Sequence, residues 1–147
     1  MLNLDDIRKS SELLSRGQRL LVFCHANPDG DAVGALLGMS FLLEAAYPEK
    51  PVIILCKDEP PETLKFLPGT ERITHEPRMQ EGDVLLFLDS AEPKLTGLHE
   101  SHAELFADNV QSINIDHHPT NSNFARINLI DPNAASACEI VAIIADV

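Results

Sequence analysis

Three short stretches of this chain are apolar without interruption: Leu20–Cys24, Val52–Cys56 and Val84–Leu88. A strand with one wet face alternates apolar and polar residues, so unbroken runs of this length predict strands covered on both faces, as in parallel sheets. A fourth strand is read at Ser112–Ile115 and a fifth at Arg126–Ile130. Helices are predicted around them. Residues 4–16 place Leu4, Ile7 and Leu14 on one stripe, with acids in the first turn and Gly17 as the stop. Ala32–Tyr47 carries small residues suited to close packing and ends at Pro48, and further helices are expected at Leu95–Phe106 and Ala134–Asp146. Residues 59–79 read as a short helical turn from Glu59-Pro60-Pro61, a Leu67-Pro68-Gly69 turn, and a short strand and loop over Glu71–Met79. The alternation predicts an α/β fold: a mostly parallel sheet flanked by helices on both faces.

In such sheets ligands bind beyond the carboxyl ends of the strands. The first run leads directly into His25-Ala26-Asn27-Pro28-Asp29-Gly30-Asp31, the third into Asp89-Ser90, and the fourth strand into Asp116-His117-His118. Pro28 fixes one torsion and Gly30 permits a tight or left-handed turn, so His25, Asp29 and Asp31 are expected to fold inward together. Carboxylates crowded in one cleft repel one another unless cations neutralise them. Histidine and carboxylate donors without thiolate favour Mn²⁺, Mg²⁺ or Fe²⁺ over structural zinc, and one carboxylate such as Asp89 can bridge two ions.

Taken singly, each fragment has an ordinary explanation. Asp-Gly-Asp is commonly a turn, Asp-Ser a helix cap, and paired histidines can be a satisfied surface feature. Their joint placement at strand ends favours a metal centre over coincidence. A calcium loop starting at Asn27 fails, because Ala32 stands where glycine is required and Gly38 where the bidentate glutamate belongs. His75, His99 and His102 lack such company and are expected to be solvated, and Asp131-Pro132 to form a turn after the fifth strand. Ser136, three residues before Glu139, is placed to open the last helix.

Composition narrows the function classes. A net charge of −12 leaves no basic surface for tracking a long nucleic acid, and two divalent cations would bring it only to −8. The longest apolar run, Ala32–Leu43, falls short of the ~20 residues that span a bilayer, and the acidic start does not resemble a secretory leader. Cys24, Cys56 and Cys138 form no metal-type spacing and read as reduced, small hydrophobes, which predicts a cytoplasmic setting. Patterning leaves the oligomeric state open, a homodimer included.

His25-Ala26-Asn27-Pro28-Asp29-Gly30-Asp31-Ala32-Val33-Gly34, Leu88-Asp89-Ser90, Asp116-His117-His118 and the segment Asn133–Glu139 occur in the order and spacing of the DHH phosphoesterase family, which the chain resembles over nearly its whole length. Within it the chain is most similar to the branch of bacterial oligoribonucleases and 3′-phosphoadenosine 5′-phosphate phosphatases. The resemblance implies a site holding two Mn²⁺ ions, with Mg²⁺ as the substitute. His25, Asp29 and Asp89 would hold one and Asp31, Asp89 and His117 the other. His118 would touch the substrate phosphate, and Asp116 would orient a histidine. It implies a metal-activated water attacking the phosphate of a short oligonucleotide or nucleotide. Two family features are not matched: a further metal-binding Asp downstream, and a C-terminal domain that grips substrate. Residues 1–147 therefore read as a single catalytic domain cut from a longer enzyme. Hydrolysis of pyrophosphate or polyphosphate, and an inactive metal-binding regulatory module, stand as the alternatives.

Overall fold

The computed structural model describes residues 2–147. Helix α1 (Leu4–Arg16) precedes strand β1 (Arg19–Cys24), helix α2 (Gly30–Ala46) and strand β2 (Val52–Leu55). Strands β3 (Asp83–Leu88), β4 (Ser112–Asp116) and β5 (Ile127–Ile130) follow, and helix α3 (Ala137–Ala145) comes last. All strand pairs are parallel, in the order β2-β1-β3-β4-β5. The chain moves from β1 outward to β2 on one side and then resumes at β3 on the other. The carboxyl ends of β1 and β3 thus flank the point where the winding reverses, the usual crevice for a ligand in an open α/β sheet.

Both faces of the sheet are dry, as the unbroken apolar runs require. On one face Leu20, Val22, Cys24, Leu86 and Ile115 pack against α1, α2 and α3. On the other, Leu21, Phe23, Leu85 and Phe87 pack against Leu98, Leu105 and Val110. Phe87 anchors this second core, stacking on Phe23 at 5.1 Å and on Phe106 at 5.2 Å, with Phe124 edge-on at 5.2 Å. Two packed faces follow from handedness. Right-handed crossovers that run in opposite directions from the centre must lie on opposite faces.

The crossover between β3 and β4 is not the helix expected at Leu95–Phe106. It contains two 3₁₀ turns, Pro93–Thr96 and Ala103–Phe106, and Gly97 with φ 70° closes the first after four residues. Burial of Leu98 and Leu105 against the phenylalanines organises the segment, while Leu95 stays exposed. The sheet is therefore flanked by α-helices on one face and by 3₁₀ turns on the other. Elsewhere the differences are at boundaries. The last helix starts at Ala137 because the Ser136 hydroxyl accepts from Glu139 N–H at 3.0 Å and the Glu139 carboxylate takes Ala135 N–H, a reciprocal cap. Residues 71–79 contribute one bridge, with Thr74 beside Leu55. Helices α2 and α3 pack closely: a Cβ on Gly34 would lie 2.8 Å from Cys138 Sγ. Among the described residues no helix is long and apolar enough to cross a membrane.

Candidate metal centre

β1 delivers His25 to the crevice. The next turn is made by Asn27, whose φ of 50° is left-handed, and Asp58 Oδ2 holds its N–H at 2.7 Å. The expectation that Gly30 would supply this freedom is corrected: Gly30 is simply the first residue of α2. Asn tolerates the left-handed region because its short polar side chain can bond locally. Asp29 then caps α2 by accepting Ala32 N–H at 3.0 Å, and Asp31 follows in the first turn.

β3 delivers Asp89, again with a left-handed φ of 54°. Its N–H still bonds the Ile115 carbonyl of β4 at 3.0 Å, so the ladder holds the residue while the backbone turns away. A non-glycine residue in this region costs of order 1 kcal/mol, which persists where the surroundings over-determine it. β4 ends in Asp116, which is fully buried. His117 and His118 follow on the rim.

These side chains converge. His25 Nε2 lies 3.4 Å from Asp89 Oδ2 and 3.7 Å from Asp29 Oδ1. His117 Nε2 lies 3.5 Å from Asp89 Oδ1 and 3.5 Å from Asp31 Oδ2. Two triads thus share Asp89 through different oxygens. The spacing is informative. Two donors each ~2.1 Å from one ion, at angles of roughly 90–110°, stand about 3.0–3.5 Å apart. Asp89 Oδ1 is buried and has no hydrogen-bond partner among the described residues. A buried carboxylate oxygen left bare is costly, and a cation between the triads is what would satisfy it. Ligand atoms of His25, Asp29 and Asp89 lie within 4.8 Å of one another, as do those of Asp89, Asp116, His117 and His118; donor chemistry and the bare oxygen fit divalent ions, and Asp31 adjoins the second group through His117 at 3.5 Å.

The remaining groups orient the donors. Asp116 Oδ1 accepts from His118 Nδ1 at 2.7 Å and from His117 N–H at 2.8 Å, and Oδ2 accepts from Asn121 Nδ2 at 2.7 Å. Asp31 is held from α3, accepting Ala137 N–H at 2.8 Å and Cys138 N–H at 2.9 Å. Asn121 was not identifiable as part of the site from sequence, and the opening of α3, within the family-like segment Asn133–Glu139, had no role assigned to it. Asn121 lies in a polar loop without pattern, and the α3 contact reaches across more than a hundred residues. Asp131 backs the site through its N–H, which bonds the Asp116 carbonyl at 3.1 Å. The other three histidines face glutamates instead: His75 meets Glu59 at 2.8 Å, His99 meets Glu100 at 3.6 Å, and His102 meets Glu104 at 3.2 Å.

The electrostatics are those of a site short of positive charge. The facing Asp89 carboxylate, aided by the Ala26 carbonyl and Asp29 and opposed by burial, pushes His25 up to about 9. Asp116 raises His118 in the same way. Burial works to raise Asp31, but the N–H groups of Cys138 and Ala137 outweigh it and hold the carboxyl below its usual range. Without metal, protons take the place of cations here.

The profile described as the DHH family, N-terminal domain, matches residues 19–146. The bifunctional oligoribonuclease and PAP phosphatase NrnA of Thermus thermophilus is 35% identical over 124 residues, covering 83% of this chain and 35% of that protein. The Bacillus subtilis protein of the same name is 25% identical over 122 residues, covering 83% and 36%. An exopolyphosphatase-related protein from Bacteroides fragilis superposes with a TM-score of 0.85 at 27% identity, covering 98% of this chain and 44% of that one. The chain spans about a third of the length of these NrnA relatives.

Proposed function

Because the chain belongs to the DHH family, as the match over residues 19–146 establishes, we propose that it acts as a phosphoesterase on short oligonucleotides or nucleotide phosphates, with two divalent ions, Mn²⁺ for preference. The observation that carries the reading is the pair of triads sharing a buried Asp89 whose Oδ1 has no hydrogen-bond partner among the described residues. His25, Asp29 and Asp89 would hold one ion, and Asp31, Asp89 and His117 the other. When bound, the ions supply Lewis acidity toward water and toward the phosphate oxygens.

The chain's own groups do the rest. Asp116, fixed by Asn121 and by His117 N–H, takes the Nδ1–H of His118 and favours its charged form. The opposite nitrogen, Nε2, then carries a proton on a ring that is partly open to solvent, and it offers a charged donor to a phosphate oxygen as negative charge builds. Asp31, tied to two N–H groups of α3, keeps its carboxylate ionised and in place. Three free cysteines suit a cytoplasmic setting.

The test is turnover of a dinucleotide by the purified protein with Mn²⁺, compared with EDTA and with Asp89→Ala. Turnover that survives both refutes the reading. The likeness to an exopolyphosphatase-related protein favours a second reading, pyrophosphate or polyphosphate hydrolysis. It predicts phosphate release from pyrophosphate in the same assay, with the dinucleotide untouched.

A further inference from the structure

We propose that Asn114 is a positioning residue for Asp89: together with Asn121 it clamps the Ser90 carbonyl, and so fixes the carboxylate that both triads share. The inference rests on the two-ion reading and adds to it the means by which the shared ligand is held in place.

An amide at position 114 runs against its surroundings. On β1 and β3 the positions that face the aromatic core are Leu21, Phe23, Leu85 and Phe87, all apolar. β4 is buried along its whole length, and Ile113 and Ile115 join the core under the helices. Alternation along the strand therefore turns Asn114, the register partner of Phe87, toward the aromatic side. Asn114 is fully buried, and a buried amide is costly unless hydrogen bonds satisfy it. An apolar side chain of the same size would avoid that cost.

The amide serves the turn that follows β3. Asn114 Nδ2 donates to the Ser90 carbonyl at 2.9 Å, and Asn121 Nδ2 donates to the same oxygen at 3.2 Å. Asn121 Nδ2 also lies 3.4 Å from Asn114 Oδ1 and donates to Asp116 Oδ2 at 2.7 Å, so one group links both halves of the site. Among the described residues no backbone N–H bonds the Ser90 carbonyl, and the two side-chain amides are what hold it. The next carbonyl, that of Ala91, takes the Ser122 N–H at 2.8 Å. On the other side, Asp89 N–H bonds the Ile115 carbonyl at 3.0 Å. Asp89 is thus pinned before and after its left-handed backbone, φ 54°. Such a conformation is unfavourable for a residue with a side chain and persists only where its surroundings over-determine it. Relaxing to an extended φ would swing the Asp89 Cβ, and the carboxylate with it, away from His25 at 3.4 Å and His117 at 3.5 Å. Asn114 therefore acts on the shared ligand through the main chain, without touching it.

The test uses Asn114→Leu, which keeps the volume and removes the donor; Asn114→Ser, whose hydroxyl is too short to reach the carbonyl, takes its place if leucine prevents folding. Mn²⁺ binding is followed by calorimetry and by the exchange-coupled electron paramagnetic resonance spectrum of a carboxylate-bridged Mn²⁺ pair. The variant should lose about tenfold or more in Mn²⁺ affinity, the usual effect of removing a group that orients a ligand, and the coupled spectrum should give way to that of isolated Mn²⁺. Ile7→Ala, in α1 on the opposite face of the sheet, should lower Tm and leave affinity and spectrum unchanged. Wild-type affinity and coupling in the Asn114 variant, or an equal loss in Ile7→Ala, overturns the proposal. Crystal structures of wild type and variant grown in EDTA separate it from the two-ion reading. The variant should show Asp89 out of the left-handed region, with its contacts to His25 and His117 lost. That displacement, combined with a wild type that binds no Mn²⁺, sinks the two-ion reading and keeps this inference. Two ions bound by wild type, with Asp89 unmoved in the variant, does the reverse.

Discussion

Replacing Asp89 with asparagine should change stability by an amount that depends on pH. With metal removed, wild-type Asp89 faces His25 at 3.4 Å and pushes it from 6.5 to about 9. A group raised in the folded state contributes stability that is fully present below its ordinary pKa and is lost as pH rises through the folded value. The rise from 6.5 to about 9 corresponds to ~3 kcal/mol at most, and Asp89 is its largest cause. Above pH 9 that attraction is gone, and a buried carboxylate with one bare oxygen remains, a cost of about 1–3 kcal/mol that the neutral amide relieves. The stability difference between wild type and Asp89→Asn should therefore shift in the variant's favour by about 2–3 kcal/mol between pH 6 and pH 10. For a chain of 147 residues this is roughly 7–10 °C in relative Tm. Thermal melts of both proteins in EDTA read it directly, with the weaker interaction of Asp89 with His118 adding in the same direction. Adding Mn²⁺ at about a hundred times Kd should then raise wild type by ~2.7 kcal/mol and leave the variant unmoved. Parallel pH profiles, or a metal-induced shift that persists in the variant, would refute the reasoning.

Three more outcomes follow from the same geometry. Asp116→Asn should return the His118 titration, followed by its ring proton resonances, toward 6.5, and lower phosphoester turnover by about 10–100-fold. Mn²⁺ binding at pH 7–8 should release about one proton from His25, so its apparent affinity should fall nearly tenfold per pH unit in that range; calorimetry in buffers of different ionisation enthalpy checks the proton count. Phe87→Ala removes the ring that Phe23, Phe106 and Phe124 all pack on, and denaturant unfolding should show a loss of about 3–5 kcal/mol.

The strands were legible because burial on both faces leaves an unmistakable pattern: Leu20–Cys24 and Val84–Leu88 have no room for a polar residue. The end of each strand was legible too, since His25, Asp89 and Asp116 each follow or close an apolar run. What misled was the 95–106 segment. Its Leu95, Leu98 and Leu105 lie at helix-like spacing, but Gly97 breaks the first turn and the two buried leucines serve the aromatic core. Gly30 misled in the same way, because glycine permits a turn without requiring one, and Asn27 made the turn instead.

The order of residues along the chain was enough to determine that this protein builds a parallel sheet with acids and histidines at its carboxyl edge, because apolar runs and strand ends are local properties. It could not determine which donors face which. The two triads exist because β3 pairs beside β1, bringing Asp89 next to His25 across 64 residues, and because α3 folds back to hold Asp31. Those distances are set by strand pairing and packing between distant segments, and only the folded chain carries them.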